Sequence, residues 1–168
     1  MMESKTLFPI AKITKAFGFK GEVGLQPLIW HYDDYLHNKQ LSIGLNEKSV
    51  KNVNIIKNSG SKKKKLLFSG LKSRDDARLI IGNYIYVHLS IDDPLNMISP
   101  KLIGARVCGE NNEYIGKLIS MISHPGHDVY VVLANNKELL IPVVPEIIKN
   151  INYTKKEIVI SKMSGLLN

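Results

Sequence analysis

Two lysine-bearing segments in the first half of the chain could hold phosphate groups. Residues 17–22 are Phe-Gly-Phe-Lys-Gly-Glu, with glycines at positions 18 and 21. Glycine permits positive φ angles and close backbone approach, so this loop could direct N–H groups at an anion, helped by the charges of Lys15 and Lys20. A glycine-bearing β-turn with ordinary surface lysines would explain the same residues.

The second segment is a run of four cations beside Gly60, namely Lys62, Lys63, Lys64 and Lys65. Clustered cations at a hairpin tip can neutralise several phosphates and release counterions. Lysine lacks the planar bidentate geometry of arginine, so the run predicts contact with a nucleic-acid backbone without recognition of its base sequence. The alternative is a tip that only solubilises the protein.

Two histidines, His124 and His127, have side chains that can bind a metal, but the Pro-Gly between them indicates a loop and not a helix face. Zinc needs further ligands, and the lone Cys108 adds little. The chain also lacks a phosphate-binding loop, a dinucleotide-binding glycine fingerprint, a Cys-x-x-Cys pair and a serine-hydrolase elbow. We therefore predict no metal, no cofactor and no catalytic residue.

An aromatic cluster follows the second predicted strand and consists of Trp30, Tyr32 and Tyr35. Exposed aromatic side chains can stack on unpaired bases. The alternative is that the cluster packs against one end of a barrel.

The charge distribution favours a polyanionic partner for the first half of the chain. The formal net charge is +8, and residues 1–91 carry 15 lysines and arginines against 7 acidic residues. Residues 92–168 carry 8 of each, so the first part holds the whole excess. An excess of this kind is typical of nucleic-acid binding, although an AT-rich genome can also accumulate lysine on a surface.

Short strands separated by polar turns predict a mainly β protein. We expect the strands at 7–13, 22–26, 50–56, 65–68, 84–87, 102–107, 114–119, 129–133, 138–143 and 157–160, with a tight turn at 135–136 and one helical turn at 145–150. One short helix should follow Ser73, with Asp76 completing a capping box. This pattern favours two small β-barrels, whose closure would remove free sheet edges.

Prolines and paired acidic residues interrupt the pattern at 92–100, which we predict to be a linker between domains 1–91 and 101–168. No apolar stretch approaches the ~20 residues of a membrane span, and the apolar run near the first residue is too short for a signal peptide. A single cysteine excludes an intramolecular disulfide. We expect a cytoplasmic protein without membrane attachment.

In their order, the motifs resemble those of the ribosome maturation factor RimM family, the small-subunit rRNA-processing proteins of bacteria. The matching segments are 10–13, 17–23, 70–77, 102–104, 116–118, 126–129, 140–144 and 164–167. Family members usually have His and Asn where this chain has Phe17 and His127, and an aromatic segment where it has residues 96–101.

The resemblance implies an N-terminal barrel like those of translation factors, a C-terminal PRC barrel and no catalytic activity. It also implies binding to the head of the small (30S) ribosomal subunit through ribosomal protein S nineteen, in support of 16S rRNA processing. Within the second barrel we expect His127, Asp128, Tyr130 and Pro142 to form the protein-binding neighbourhood. The alternative for Asp128 is that it caps its own turn.

We therefore expect a monomeric, non-catalytic assembly chaperone. Its basic first barrel would contact rRNA, and its neutral second barrel would hold a basic ribosomal protein without electrostatic repulsion. One alternative is a flavin-reductase-like barrel enzyme, although the chain shows no flavin site. Another is a structural PRC-barrel protein tied to a membrane complex.

Overall fold

The computed structural model describes residues 6–162, so the closing motif at 164–167 lies outside the described residues. The chain divides into two compact units, Met1–Asp93 and Pro94–Asn168. Both units are mainly β, which confirms the predicted fold class, whereas the predicted boundaries of domains and linker stay a prediction. No helix in the described part is long and apolar enough to cross a membrane.

The first unit is a curled seven-stranded sheet with two short helices in its described part. The elements are β1 (Thr6–Phe17), β2 (Glu22–Pro27), α1 (Tyr32–Asn38), β3 (Leu41–Gly44), β4 (Lys51–Val53), β5 (Ile55–Ser59), β6 (Lys65–Phe68), α2 (Arg74–Leu79) and β7 (Tyr84–Leu89). The hydrogen-bonded order is β4-β3-β7-β1-β2-β6-β5. Helix α1 and strand β3 are absent from the sequence-based expectation.

The central strand β1 changes its buried face partway along. Phe8 and Ile10 are buried, and so are Ala11 and Ile13, so the inward positions move from even to odd numbers. The register with β7 shifts between Pro9 and Ala11, because a β-bulge inserts one extra residue there. Pro9 lacks the N–H that a ladder needs, and it lies in the part of β1 that is in register with β7 alone, since the register with β2 begins at Ala11.

The connection between β4 and β5 forces the sheet to curl. These strands lie at opposite ends of the strand order, yet Asn54 alone separates them in the chain. In a flat sheet seven strands would hold the end strands roughly 29 Å apart, whereas one intervening residue bridges only about 7 Å. The prediction of a single strand at 50–56 is therefore wrong, because this run supplies two edge strands with different neighbours.

The second unit is a six-stranded sheet in its described part. Its strands are β8 (Arg106–Gly109), β9 (Tyr114–Ile122), β10 (Val129–Ala134), β11 (Lys137–Pro142), β12 (Ile148–Asn152) and β13 (Glu157–Ile160), in the order β11-β10-β9-β8-β13-β12. Apolar side chains from all six strands form one core, including Leu118, Tyr130, Val132, Ile141 and Ile158. Among the described residues, each of the two sheets has a first and a last strand that are not paired with each other. The expectation that strand pairing closes each barrel and removes its edges is therefore not met.

Two predicted elements of the second unit are wrong in their limits. The strand expected at 102–107 begins only at Arg106, because Pro100–Leu102 is a 3-10 turn and Gly104 has a φ of +87°. The helical turn expected at 145–150 ends early, since the N–H groups of Ile147 and Ile148 both bond to the carbonyl of Val144 and strand β12 then begins.

Part of the predicted linker packs against the second unit. Residues Pro94–Ile98 form a 3-10 helix whose Met97 and Ile98 lie against the apolar core. The Tyr130 hydroxyl donates to the carbonyl of Met97, and the Tyr153 hydroxyl donates to the carbonyl of Asn96. Burial raises the pKa of Tyr130, so its hydroxyl remains a proton donor in this contact.

Helix α2 begins with the capping box that the sequence predicts. The Asp76 N–H donates to Ser73 Oγ at 3.1 Å, and the Asp76 carboxylate accepts the N–H groups of Ser73 at 3.0 Å and Lys72 at 2.9 Å. The hydrogen bonds from Lys72 and Ser73 lower the pKa of Asp76. The start of α2 is therefore held by contacts within five residues.

The loop between β1 and β2 lies directly against this helix start. Gly21 is buried with a φ of +88°, and a Cβ atom there would lie 2.6 Å from the Ser73 carbonyl oxygen. Gly18 has a φ of +57°, but the nearest atom to its Cβ position is Glu22 Oε2, at 3.7 Å. Of these two glycines, Gly21 alone combines a positive φ with a close backbone contact.

We expect Gly21→Ala to destabilise the first unit by about 2 kcal/mol or more, because the methyl group meets a backbone atom and the φ angle is unfavourable. Gly18→Ala is the matched control and should cost about 1 kcal/mol, the cost of the φ angle alone. Urea unfolding followed by the fluorescence of Trp30, the only tryptophan, measures both variants. Equal unfolding midpoints would contradict the close contact.

We expect Asp76→Asn to lower the free energy of unfolding at neutral pH, because an amide oxygen accepts the two N–H groups more weakly. The folded-state pKa lies below the usual 3.8, so the stabilisation is present above that value and is lost as the pH falls through the lowered pKa. Urea midpoints of both proteins at decreasing pH should converge under strong acid. A gap that stays constant would show that ionisation of Asp76 is not its source.

Candidate nucleic-acid and protein interfaces

The predicted lysine hairpin is present, and two of its lysines project into solvent. Strands β5 and β6 pair antiparallel, and Gly60 turns the chain with a φ of +90°. A Cβ atom on Gly60 would lie 2.3 Å from the Lys63 carbonyl oxygen, so the turn requires glycine. Lys62 and Lys63 are exposed, and the described residues provide neither with an ion-pair partner.

The other two lysines of the run are engaged within the first unit. Lys64 forms an ion pair with Asp33 of α1 and is half-buried. The Nζ atom of Lys65 lies 4.8 Å from the centre of the Phe17 ring. These two cations hold neighbouring elements together, so the part of the run that is available to a polyanion is Lys62 and Lys63.

A groove between β1 and α2 carries a second group of cations. Its volume is about 280 Å³, and its basic side chains are Lys15, Arg74 and Arg78. The two arginines lie four residues apart, which places them on one face of the helix. The remaining lining residues are Thr14, Ala16, Phe17 and Ile81. The groove thus combines exposed cations with apolar side chains.

One acidic side chain pairs with this group. The Nη1 atom of Arg78 lies 3.2 Å from Asp75 Oδ1, with both side chains mostly exposed. An exposed pair of this kind contributes little and yields readily to a stronger anion. Arg74 and Arg78 are not among the binding residues predicted from the sequence, although their i,i+4 spacing on a capped helix is a signal visible in the chain.

The β1–β2 loop stands beside the groove and carries Lys20. Phe17, at one end of the loop, lines the groove, and Gly21, at the other end, touches Ser73. Lys57 Nζ donates to Glu22 Oε1 at 3.2 Å and ties the loop to β5. Lys15 therefore lies in the groove beside α2, Lys20 is exposed on the adjoining loop, and Lys62 and Lys63 lie at the hairpin tip.

The aromatic cluster of the first unit splits into packed and exposed members. Tyr32 and Tyr35 are half-buried on α1, as the packing alternative predicts, whereas Trp30 is exposed. The Tyr35 hydroxyl donates to Asp93 Oδ1 at 3.1 Å, and Lys39 Nζ lies 2.9 Å from Asp93 Oδ2. Burial and then the Asp93 charge raise the pKa of Tyr35.

In the second unit, Asp128 holds the loop before β10. Its Oδ1 atom accepts the His124 N–H at 3.4 Å, and its carbonyl accepts the Val143 N–H at 2.8 Å. The Gly126 N–H donates to His124 Nδ1 at 3.3 Å, so His124 is used inside the loop as well. The alternative in which Asp128 caps its own turn thus describes the structure, and His127 stays exposed.

The four residues predicted to bind protein do not share one surface. Tyr130 has no exposed surface and belongs to the core, so its side chain cannot touch a partner. Pro142 is half-buried and pairs with Val129, which places it beside Asp128 at one end of the sheet. Binding of a protein by His127, Asp128 and Pro142 stays a prediction.

Metal-ligating side chains are dispersed in the described part of the chain. Residues 6–162 contain no group of three or more His, Cys, Asp or Glu side chains that could hold a metal ion. His124 and His127 lie with ring centres 6.2 Å apart, and Cys108 is buried elsewhere in the sheet.

Comparison with known proteins gives relatives that span nearly the whole chain. The ribosome maturation factor RimM of Prosthecochloris aestuarii is 29% identical over 171 residues, which cover 98% of this chain and 99% of the relative. The protein of the same name from Clostridium botulinum is 30% identical over 157 residues, covering 92% of each. A solved structure of a 16S ribosomal RNA processing protein RimM from Pseudomonas aeruginosa covers 95% of this chain and 99% of its own, at 19% identity and a TM-score of 0.46.

Family models assign both halves of the chain. The RimM N-terminal domain matches residues 8–91, and the RimM PRC barrel domain matches residues 100–166. Together with the full-length relatives, these matches show that the chain belongs to the RimM family.

Proposed function

We propose that this protein is a ribosome maturation factor that binds the head of the 30S subunit and assists 16S rRNA processing without catalysing a reaction. Membership of the RimM family supports the general role, since its relatives are named for it. The observation that carries the mechanism is the group of exposed cations on the first unit, at the hairpin tip and along the groove.

The first unit would contact rRNA through its phosphates. Lys62 and Lys63 offer point charges at an exposed tip, whereas Arg74 and Arg78 offer planar groups that can bind a phosphate with two hydrogen bonds. Contacts of this kind position a protein on RNA without reading the bases. This arrangement suits a factor that binds one folded region of a large RNA and then leaves.

The second unit would hold ribosomal protein S nineteen. Acidic and basic residues are balanced over 92–168, so a basic ribosomal protein meets no net repulsion there. Binding the ribosomal protein and the rRNA on one chain raises the effective concentration of each near the other. The factor would thereby place the protein during subunit assembly in the cytoplasm, and it would act as a monomer.

We expect the double change Lys62→Gln and Lys63→Gln to weaken binding to immature 30S subunits and to flatten its salt dependence. The slope of log affinity against log salt is negative, and its magnitude falls by roughly 0.7–0.9 for each phosphate that is no longer neutralised. Sedimentation binding at several salt concentrations measures the slope. The double change Lys137→Gln and Lys149→Gln removes two exposed lysines from the second unit and is the matched control. Identical slopes for both double variants would remove the hairpin tip from the rRNA contact.

We expect Asp128→Asn to reduce affinity for ribosomal protein S nineteen roughly threefold, because an ion pair at the protein surface contributes up to about 1 kcal/mol. Asparagine keeps an oxygen that can accept the His124 N–H, so the thermal midpoint should stay unchanged. Calorimetric titration and thermal unfolding measure the two quantities, with Glu138→Gln as the control at an exposed acid of the same unit. Unchanged affinity in the Asp128 variant would leave the carboxylate with the turn-capping role alone.

A further inference from the structure

The β1–β2 loop presents an aromatic side chain directly to solvent. Phe19 is 93% exposed, more than any other large apolar side chain in the described part of the chain. Single exposed apolar residues are common on protein surfaces. Phe19 is therefore informative only through the groups that surround it and through the rigidity of the loop that carries it.

The loop holds Phe19 in a defined place beside the groove. Phe17 and Gly21 each lie two positions from Phe19, and their contacts are with the groove and with Ser73. Two residues bridge at most about 7 Å, so Phe19 cannot move far from either anchor. Because both ends of the loop are fixed, the apex is presented with little loss of conformational entropy on binding.

Phe19 and the cations near its loop could bind different parts of a nucleotide, the ring a base and the cations its phosphates. Lys20 is adjacent in the chain, and the cations Lys15, Arg74 and Arg78 line the groove with the apolar Phe17 and Ile81. Unpaired bases stack on aromatic rings, and the phosphates on either side are held by arginine and lysine. Bases inside a duplex have no free face, so a stacking residue selects single strands, bulges and loops.

We propose that Phe19 and the groove form a binding site for an unpaired nucleotide of RNA. The base stacks on the ring of Phe19, and the neighbouring phosphates lie against Lys15, Arg74 and Arg78. This inference rests on the proposed function for the identity of the RNA, and it narrows that RNA to a single-stranded or bulged segment of the rRNA.

The test uses the whole chain with two probes, a short oligouridylate and a blunt-ended RNA duplex with the same number of phosphates. Phe19→Ala should weaken binding of the oligouridylate roughly tenfold, as expected when one base no longer stacks, and should leave the affinity for the duplex unchanged. The salt dependence should stay the same, since no charge is removed. Leu79→Ala, at an 83% exposed leucine that does not line the groove, is the matched control and should have no effect.

Two further variants test the two halves of the site separately. The double change Arg74→Gln and Arg78→Gln should flatten the salt dependence of oligouridylate binding by roughly 0.7 for each phosphate that is no longer neutralised. Phe19→Trp in a Trp30→Phe background should retain affinity for the oligouridylate. The fluorescence of this tryptophan should be quenched by the oligouridylate and not by the duplex.

Three results would overturn the proposal. The first is an unchanged affinity of the Phe19→Ala variant for the oligouridylate. The second is an equal weakening for both probes. The third is that the Phe19→Ala variant binds 30S subunits more weakly but binds the oligouridylate as well as the wild type does. Phe19 would then contact a ribosomal protein and not RNA. Sedimentation of the wild-type protein with 30S subunits tests the proposed function independently. A negative result for the nucleotide site therefore does not contradict the proposed function, and the two failures can be told apart.

Discussion

The close approach of Gly21 to the Ser73 carbonyl is the contact on which the first unit's surface depends. It joins the β1–β2 loop to the first residues of α2, and a side chain at Gly21 would push these elements apart. The capping box fixes the helix start from within, so the loop packs against a rigid surface. Backbone hydrogen bonds of Ile13 with Gly82 and Asn83 hold the far end of α2 against β1 as well, so the groove is fixed at both ends of the helix.

Packing also decides which cations of the first unit are available to a partner. Four consecutive lysines look equivalent in the chain, yet Lys64 pairs with Asp33 and Lys65 lies over Phe17. Phe17 lines the groove as well, so it separates the cations of the hairpin from those of β1 and α2. The basic character of the unit is thus divided between an exposed tip and a groove built on a strand and a helix.

Two tyrosine hydroxyls and one carboxylate of the second unit form hydrogen bonds within that unit. The hydroxyls of Tyr130 and Tyr153 hold the carbonyls of Met97 and Asn96, which fastens the 3-10 helix at Pro94–Ile98 to the core. Asp128 uses its carboxylate and its carbonyl to fix the loop before β10. Of the residues predicted to bind a protein, His127 is the one that the fold leaves exposed.

The sequence by itself determined the mainly β class, the family resemblance and the features that depend on near neighbours in the chain. The capping box, the lysine hairpin and the tight turn with positive φ at Asn135 and Asn136 are of this kind, because their contacts join residues a few positions apart. Only the tertiary structure decided which distant segments meet. It split the run at 50–56 between two sheet ends, buried Tyr130, and brought Lys15 to Arg74 and Arg78, because strand pairing and helix packing join residues whose separation in the chain carries no local signal.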